Sequence, residues 1–295
     1  MRLFRLIDAE KAYYPISLLC RVLKVSRSGY YDWKDRSPSK RDRENAALTE
    51  KIREVHERSR GIYGYLRVHA EPRALGVRCS RKRVARLMRE AGLSGCIRGR
   101  RKRTTRQDKH ATPAPDLVKR NFAAAAPNKI WTADITYINT WEGFLYLAFI
   151  LDIYSRKVVG WSMANHLRTE LVVDALEMAL WRRSPDAGLI HHTDRGAQYT
   201  ALSFGKRLED AGTVPSMGRT GSALDNAISE SFVASLKCEL LHGPRFISRE
   251  AARTAVFDYV EGFYNRVRRH SSLGYLSPAE YEDVTMEATK EVAVA

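Results

Sequence analysis

The residues most able to do chemistry in this sequence are three carboxylates in three separate segments. Asp134 interrupts the β-branched and aromatic segment 129–138, where an aspartate is disfavoured and needs a partner. Asp194 directly follows the short apolar run of 188–193, and Glu230 lies in a predicted helix. Carboxylate oxygens are typical ligands of Mg²⁺, and a pair of such ions supports phosphoryl transfer. If their three elements converge, these side chains form a divalent-metal site.

Each carboxylate also has an ordinary structural interpretation. Asp134 could bond a backbone group at a strand edge, Asp194 could begin the turn favoured by Asp-Arg-Gly, and Glu230 could be a helix surface position. Taken singly, these roles are more common than catalysis, but the joint occurrence favours a site. A fourth carboxylate, Asp152, stands beside the turn at 155–156 and is interpreted as a turn residue.

The stretch HHTDRGAQYT, which begins at His191, suggests an alternative site with imidazole ligands. Neutral imidazole suits zinc and other transition metals. However, no third imidazole or cysteine lies at ligand spacing, and the adjacent His191 and His192 point to opposite faces of a strand. We therefore expect Asp194, and not the histidines, to be the ligand.

Hydrophobic patterning predicts the elements that carry these residues. Three β-rich segments with short connections predict an antiparallel meander at 129–138, 144–154 and 157–164. Helices and strands then alternate, which predicts an α/β domain with a mixed sheet. The predicted helices lie at 169–183, 201–211 and 225–240, and the further strands at 188–193 and 213–217.

Two expectations concern the surfaces and the end of this domain. The helix of 169–183 is expected to bury an apolar face made of Leu171, Ala175, Met178 and Trp181. Another helix is predicted at 249–269, and the last ten residues are expected to be a loose tail.

Basic residues are concentrated in the first third of the chain. Of the formal net charge of +16, residues 1–112 contribute +18, from 30 Lys and Arg against 12 Asp and Glu. Residues 113–295 contribute −2, from 20 Lys and Arg against 22 Asp and Glu. Because solubility does not require such segregation, the pattern indicates a polyanion-binding module joined to a working module.

Two helix-turn-helix segments are predicted within this basic third. Residues 15–35 form two short helices with Ser26 as the second N-cap, and 40–58 form one long polar helix. A further helix begins after its N-cap Ser80 and ends at Gly92. An ordinary helical hairpin is the alternative for 15–35, but the basic setting favours DNA binding.

The helix after Ser80 carries five cations opposite its apolar face. Cationic runs are usually solvated surfaces, but five cations against one anion favour phosphate contact. The predicted DNA contacts on this helix are Arg81, Lys82, Arg83, Arg86 and Arg89. The segment 97–115 is predicted to be a linker that contacts phosphate. Its proposed contacts are Arg100, Arg101, Lys102 and Arg103.

Composition also excludes several classes of protein. No apolar run approaches the roughly 18–20 residues that a membrane helix needs, and the N-terminus lacks a signal-peptide pattern. The four cysteines are far apart and include no CxxC pair, so we expect neither a zinc ribbon nor a disulfide framework. These features predict a cytoplasmic protein with no membrane partner.

Four motifs, in this order, resemble the catalytic half of IS3-family insertion-sequence transposases of the OrfB type. They are WTADITYI, HTDRGAQYT, DNAISESFVASLKCEL and FYNRVRRHSSLGYLSPAEY. Between Asp194 and Glu230 lie 35 residues, which is the spacing of the DDE signature of that family. The resemblance extends upstream through YGYLRVHAEPRALGVRCSRKRVARLMREAGL and covers nearly the whole chain.

The resemblance implies a retroviral-integrase-like core with an RNase H-like fold. This fold is α/β, with a mixed five-stranded sheet flanked by helices and preceded by all-α helix-turn-helix segments that bind DNA. Asp134, Asp194 and Glu230 would be ligands of two Mg²⁺ ions, with Mn²⁺ as a substitute. Lys237 matches a position that holds the DNA end, and Asn226 belongs to the same motif. Arg195 and the glycine after it would end the strand and leave room for a phosphate backbone.

The expected function is therefore DNA transposition by metal-dependent strand cleavage and strand transfer. The expected partners are terminal inverted repeats, target DNA, further copies of the chain on DNA, and an upstream-frame OrfA-type protein or fusion. The expected domains are an N-terminal helix-turn-helix with a connecting helix (1–60), a second helical DNA-binding segment with a basic linker (61–112), the catalytic core (113–240), a C-terminal helix and loop of the core (241–285) and a tail (286–295).

Two alternatives and one departure remain at this point. A phage- or retroelement-type integrase or nuclease could use the same fold, although the retroviral type would carry a zinc-binding His/Cys set. A DNA-binding regulator without catalysis would be expected to have lost a carboxylate, and none is lost. Pro72 departs from the family pattern and is expected to kink or shorten its helix.

Overall fold

The structure, a computed structural model, describes residues 2–74, 76–96, 117–118, 124–194, 196–218, 227–241 and 243–294. The chain divides into two compact units, Met1–Glu54 and Val55–Ala295. None of the helices described in these ranges is long and apolar enough to cross a membrane.

The first unit is helical, and the sequence predicts all of its helices except the first. Its helices are α1 (Arg2–Glu10), α2 (Ile16–Val22), α3 (Arg27–Lys34) and the first part of α4 (Lys40–Arg58). Ser26 caps α3, because its hydroxyl accepts a hydrogen bond from the Gly29 N–H at 3.0 Å. A small core forms around the buried side chains of Ile7, Cys20 and Tyr30. The helices α2 and α3 confirm the predicted pair at 15–35.

A second helical pair follows in the second unit, made of α5 (Tyr65–Ala74) and α6 (Arg81–Glu90). Ser80 is the N-cap of α6 and accepts from the Arg83 N–H at 3.2 Å. Helix α5 continues through Pro72 and ends at Ala74, so the expectation that Pro72 kinks or shortens this helix stays a prediction. Proline in the last turn removes only one hydrogen bond of the helix, so the helix can continue for two residues.

The α/β part is built on a five-stranded mixed sheet. Its strands are β1 (Ile130–Thr140), β2 (Gly143–Asp152), β3 (Val158–Ala164), β4 (Ile190–Thr193) and β5 (Val214–Met217), in the order β3-β2-β1-β4-β5. Strands β1, β2 and β3 pair antiparallel, which confirms the predicted meander. Strand β4 pairs in parallel with β1 on one side and with β5 on the other, as the alternating helices require.

Helices connect and follow these strands. They are α7 (Thr169–Arg183), α8 (Leu202–Asp210), α9 (Ala227–Glu239), α10 (Arg249–Phe257) and α11 (Pro278–Val294). The single helix predicted at 249–269 is instead α10 continued by a π-helix at Asp258–Tyr264, where the Asn265 N–H bonds the Val260 oxygen five residues back. The loose tail expected over 286–295 is wrong as well, because α11 is helical as far as Val294.

Helix α7 packs closely on β3. Gly160 permits this approach, because an added Cβ would overlap the carbonyl oxygen of Ala175 and lie 2.8 Å from the Ala179 nitrogen. The prediction that Trp181 belongs to the buried face is wrong, since its side chain is 83% exposed. At about 100° of rotation per residue, Trp181 lies about 120° around the helix from Ala175. The face that the structure buries is Leu171, Val172, Ala175, Leu176 and Ala179.

Polar contacts fix α5 to the segment that follows the π-helix. The Arg269 N–H donates to the Tyr63 hydroxyl at 2.8 Å, and Arg67 Nε donates to the Arg269 oxygen at 3.0 Å. Arg269 also bonds both oxygens of the buried Glu71 carboxylate, at 2.6 and 3.1 Å. Arg67 lies 3.7 Å from Glu239 at the end of α9. The second helical pair is therefore bonded both to the Arg269 segment and to the end of α9.

The cysteines give a further correction. The sequence predicts no disulfide framework, whereas the structure joins Cys96 to Cys238 by a disulfide across 142 residues. Cys96 follows the second helical pair, and Cys238 lies in the last turn of α9. Such a long separation cannot be predicted from spacing, because pairing depends on the folded positions of the two residues. Cys20 and Cys79 are free.

Candidate active site

The register of two parallel strands positions the first two carboxylates. Thr132 on β1 pairs with His192 on β4. Asp134 lies two residues after Thr132, and Asp194 lies two residues after His192. Because the strands run in the same direction, Asp134 in the middle of β1 stands level with Asp194, which directly follows the carboxyl end of β4. This is where α/β sheets carry their sites.

A hydrogen bond between two hydroxyl groups brings the helix of the third carboxylate, Glu230, against β1. The Ser229 hydroxyl on α9 lies 3.0 Å from the Thr132 hydroxyl in a buried hydrogen bond. Glu230 is the next residue on the helix. The ring of Phe232 packs 4.6 Å from that of Phe149 on β2, which anchors α9 beside the sheet. Glu230 therefore follows directly from a residue that touches the strand of Asp134.

Each aspartate is hydrogen-bonded to backbone in its own loop or strand. Asp134 Oδ1 accepts from the Ile135 N–H at 2.8 Å, and Asp194 Oδ1 accepts from the Gly196 N–H at 3.0 Å. Burial raises the pKa of the Asp194 carboxyl, and the hydrogen bond from Gly196 opposes part of that shift. A desolvated carboxylate is stabilised by a nearby cation, so the environment of Asp194 suits a ligand of a hard metal ion.

Tyr199 adds a buried hydroxyl to this region. Its oxygen has no hydrogen-bond partner among the described residues. Burial raises the pKa of Tyr199 well above its ordinary value, and the charges of Asp134 and Asp194 raise it further. The side chain therefore lies within the electrostatic reach of both aspartates.

The three carboxylates supply the oxygen donors that a divalent cation takes, but the structure does not gather them into one ligand group. Among the residues that it describes, no three His, Cys, Asp or Glu side chains are arranged to hold an ion. The roles of Asp134, Asp194 and Glu230 as ligands therefore stay a prediction.

The two histidines have structural surroundings. His191 is fully buried, and its ring packs 5.5 Å from that of Phe204 on α8. Burial, together with the charge of the neighbouring His192, lowers its pKa to about 3. His192 shares a hydrogen bond of 2.9 Å with the Ser216 hydroxyl on β5. Their contacts lie on two different elements, which agrees with their expected alternation along the strand.

The DNA contacts predicted from the sequence are described only in part. Lys237 lies seven residues after Glu230, and its Nζ stands 4.9 Å from the ring centroid of Tyr137 on β1. On α6, the buried residues Val84, Leu87 and Met88 face inward. The cations of α6 are exposed or half-buried on the other faces, and Arg86 pairs with Glu90 at 3.0 Å. Arg195, Asn226 and positions 100–103 lie outside the described residues.

Asp152 is a structural carboxylate, as its position beside a turn predicts. It is fully buried at the end of β2 and accepts from the Asn128 and Tyr154 backbone N–H groups at 2.7 and 2.8 Å. Arg183 lies 3.7 Å away and also bonds Glu282. Burial raises the pKa of Asp152, while the two backbone hydrogen bonds lower it.

Thr132 and Ser229 are the residues of this region that the sequence did not reveal. Both are buried hydroxyls, and their bond connects β1 to α9. Hydroxyl residues are common in strands and helices, so only their adjacency to Asp134 and Glu230 could have suggested a role. The mutual contact itself depends on tertiary packing.

The sheet order, with three antiparallel strands followed by two parallel ones, and the carboxylates at its centre define an integrase-type core. Two family models described as "Integrase core domain" match residues 124–223 and 211–278. A model described as "HTH-like domain" matches residues 42–102. The mixed sheet preceded by helix-turn-helix segments is therefore the RNase H-like arrangement expected from the sequence.

Similar proteins identify the family. "Transposase InsF for insertion sequence IS3A" of Escherichia coli is 41% identical over 280 residues, covering 94% of this chain and 97% of that protein. "Insertion element IS600 uncharacterized 31 kDa protein" of Shigella sonnei is 44% identical over 266 residues, covering 90% and 97%. "Putative transposase for insertion sequence element IS986/IS6110" of Mycobacterium tuberculosis is 40% identical, covering 88% and 95%. The chain therefore belongs to the IS3 family of insertion-sequence transposases, which are polynucleotidyl transferases that act on DNA.

Solved structures of retroviral integrase cores are more distant. The catalytic core domain of BIV integrase shares 19% identity, with a TM-score of 0.42, and covers 56% of this chain and 99% of that chain. The HTLV-2 integrase catalytic core domain in complex with magnesium shares 18% identity, with a TM-score of 0.40, and covers 54% and 99%.

Proposed function

We propose that Asp134, Asp194 and Glu230 are the catalytic carboxylates of a metal-dependent transposase, which cleaves the ends of an insertion sequence and joins them to target DNA. The observation that carries this proposal is that Thr132 pairs with His192 on β4 and shares a hydrogen bond with Ser229 on α9. One residue links two parallel strands and α9, and each of these elements reaches a carboxylate within two residues.

The proposed reaction is a pair of phosphoryl transfers. In the first, a water oxygen bonds to phosphorus at the end of the element, and the bond from phosphorus to the 3′ oxygen breaks. That oxygen takes up a proton, which leaves a 3′-OH and a 5′-phosphate. In the second, the 3′-OH attacks a phosphodiester of the target, whose own 3′ oxygen leaves with a proton. Each step exchanges one P–O bond for another, so no Ser or Tyr nucleophile is required.

Divalent cations are the proposed cofactors of both steps. We propose two Mg²⁺ ions, replaceable by Mn²⁺, held by the three carboxylates, because these supply only oxygen donors. When bound, such ions stabilise charge on phosphoryl oxygens and lower the pKa of water.

Other residues of the chain would hold and orient the DNA. Lys237 shares α9 with Glu230, so it would fix the strand at a set distance from the carboxylates. The cations of α6 would bind phosphates without reading the sequence. Arg195, Asn226 and the cations at 100–103 are proposed as further DNA contacts on the strength of their motifs.

The proposed substrates are the terminal inverted repeats and target DNA. Both ends of an element must be processed, so we propose that several copies of the chain assemble on DNA. A helical partner encoded upstream, as a separate protein or a fusion, is proposed from the family resemblance.

A strand-cleavage assay on the DNA that flanks the gene, with and without Mg²⁺, tests the proposal. Asp134→Asn, Asp194→Asn and Glu230→Gln should each reduce cleavage at least about 100-fold, because losing one ligand costs several kcal/mol at the transition state. DNA affinity should change little. Asp210→Asn removes an exposed carboxylate at the end of α8 and should cleave like the wild type.

Two outcomes would contradict the assignment. Substantial cleavage by any of the three carboxylate variants would exclude that residue from the catalytic set. A wild-type chain that binds the flanking DNA but cleaves none of it with Mg²⁺ or Mn²⁺ would instead be a DNA-binding regulator.

A further inference from the structure

The hairpin that joins β1 to β2 exposes a cluster of aromatic side chains. Tyr137, Trp141 and Phe144 are 39%, 72% and 49% exposed. The rings of Tyr137 and Phe144 meet edge to face, with centroids 5.2 Å apart. We name these three residues the hairpin platform. Large aromatic surfaces left in solvent are a mark of a binding surface.

Cations stand against two of the three rings. Lys237 Nζ lies 4.9 Å from the Tyr137 ring centroid, and Arg245 Cζ lies 5.6 Å from that of Trp141. The Arg245 segment is fixed to the hairpin, because the Trp141 N–H donates to the Phe246 oxygen at 3.0 Å. The platform therefore combines aromatic faces with positive charge held beside them.

The acidic residue at the hairpin tip, Glu142, is hydrogen-bonded within the protein. Glu142 accepts from the backbone N–H of Arg249 at 2.9 Å, and the Arg249 guanidinium donates to the Phe144 oxygen at 3.1 Å. Two guanidinium groups, of Arg245 and Arg249, therefore lie at the hairpin together with this one carboxylate.

The hairpin platform lies a short way from the carboxylates along two elements. Tyr137 follows Asp134 by three residues of β1, which is about 10 Å along the strand and places their side chains on opposite faces of the sheet. Lys237 on α9 connects the two regions, because its Nζ lies 4.9 Å from the Tyr137 ring. Lys237 follows Glu230 by seven residues of helix, which is also about 10 Å. This distance corresponds to about three nucleotides at the rise of a stacked strand.

We propose that the hairpin platform stacks unpaired bases of the DNA end while the adjoining phosphodiester lies at the carboxylates. Aromatic faces accept any base, and neighbouring cations neutralise the phosphates between stacked bases. The proposal rests on the function proposed above, because it is the catalytic role of Asp134 and Glu230 that brings a DNA end to this place.

A second copy of the chain fits this surface less well. In a symmetric contact the same patch lies on both partners, so Lys237 and Arg245 would face cations of the other copy. Like charges across an interface oppose association, whereas a polyanion is attracted to both.

The test compares two DNA probes by fluorescence anisotropy at one fixed salt concentration. One is a blunt duplex, and the other is the same duplex with three unpaired nucleotides at one end. The wild type should bind the second more tightly, because each stacked base contributes about fivefold to 150-fold in affinity. The double variant Trp141→Ala, Phe144→Ala should lose this preference, with less than about threefold change for the blunt duplex.

Matched variants separate stacking from damage to the fold. Trp181→Ala removes an even more exposed tryptophan from α7 and should keep the full preference. The single variant Trp141→Phe should keep most of the preference for the unpaired end, since an aromatic face remains. An unchanged preference in the double variant, or none in the wild type, overturns the proposal. If the double variant differs from the wild type in oligomeric state without DNA, as measured by light scattering, the surface is a contact between copies and the proposal is overturned.

The same probes distinguish this inference from the proposed function. If Asp134→Asn stops cleavage but keeps the preference for the unpaired end, both stand. If the wild type cleaves and the preference survives in the double variant, only the hairpin platform fails. If the wild type does not cleave DNA but its preference for the unpaired end is lost in the double variant, the proposed catalysis fails and the base-stacking surface stands.

Discussion

Replacing His191 by leucine is expected to make the fold more resistant to acid. The imidazole is buried against Phe204, and neither of its nitrogens has a hydrogen-bond partner among the described residues. Burial holds its pKa at about 3, so the folded protein keeps this ring neutral in mild acid. In the unfolded chain the ring titrates near its ordinary pKa of about 6.5.

The size of the effect follows from proton linkage. Below about pH 6.5 the unfolded chain binds a proton at His191 that the folded protein does not bind, so stability falls with the pH until the folded pKa is reached. From pH 7 to pH 5 this group alone lowers the free energy of unfolding by about 2 kcal/mol. A loss of that size corresponds to roughly 4–8 °C in Tm for a unit of this length.

Thermal unfolding of the wild type and His191→Leu, at pH 7 and pH 5, measures this difference. Other titrating groups contribute to both proteins and cancel in the comparison. The variant should lose about 2 kcal/mol less than the wild type between the two pH values. If the two proteins lose stability in parallel, the imidazole is not held neutral in the fold, and our account of the strand before Asp194 is wrong.

Three further outcomes are expected. Arg268→Met should destabilise the fold by about 3–5 kcal/mol in urea unfolding, because it leaves the buried Glu239 carboxylate without the guanidinium that bonds it at 2.6 and 2.7 Å; removing Glu239 as well should recover part of that loss. Gly160→Ala should cost about 1–3 kcal/mol in the same measurement, because the new methyl group overlaps the backbone of α7 at Ala175. DNA affinity should fall steeply with salt, and replacing two of the exposed cations of α6 by glutamine should reduce the slope of log K against log salt by about 2.

Local chemistry in the sequence predicted most of the elements correctly. β-branched and aromatic runs marked the strands, and Ser26 and Ser80 marked the helix starts that they cap in the structure. The carboxylates were recognisable because Asp134 is out of place in a strand. What the sequence could not supply is the register that pairs Thr132 with His192, since a parallel pairing is decided by packing far along the chain.

The wrong predictions also concern features that tertiary packing, and not the local sequence, decides. Trp181 was assigned to the core from helical periodicity, but the sheet beneath α7 decides which arc of the helix is covered. The π-helix at Asp258–Tyr264 shifts the bonding pattern by one residue, which no periodic pattern reveals. The pairing of Cys96 with Cys238 spans 142 residues and depends on the completed fold.

The contacts of α5 with Arg269 restrict how DNA recognition could be exchanged between relatives. Tyr63, Arg67 and Glu71 bond to Arg269 through both its backbone and its side chain. A chimaera that received residues 62–96 from another transposase would keep these bonds only if the new side chains matched Arg269, or if the segment around Arg269 came with them. The second helix-turn-helix therefore does not fold independently of the Arg269 segment, and a swap of specificity has to match or transplant two segments that lie about two hundred residues apart in the chain.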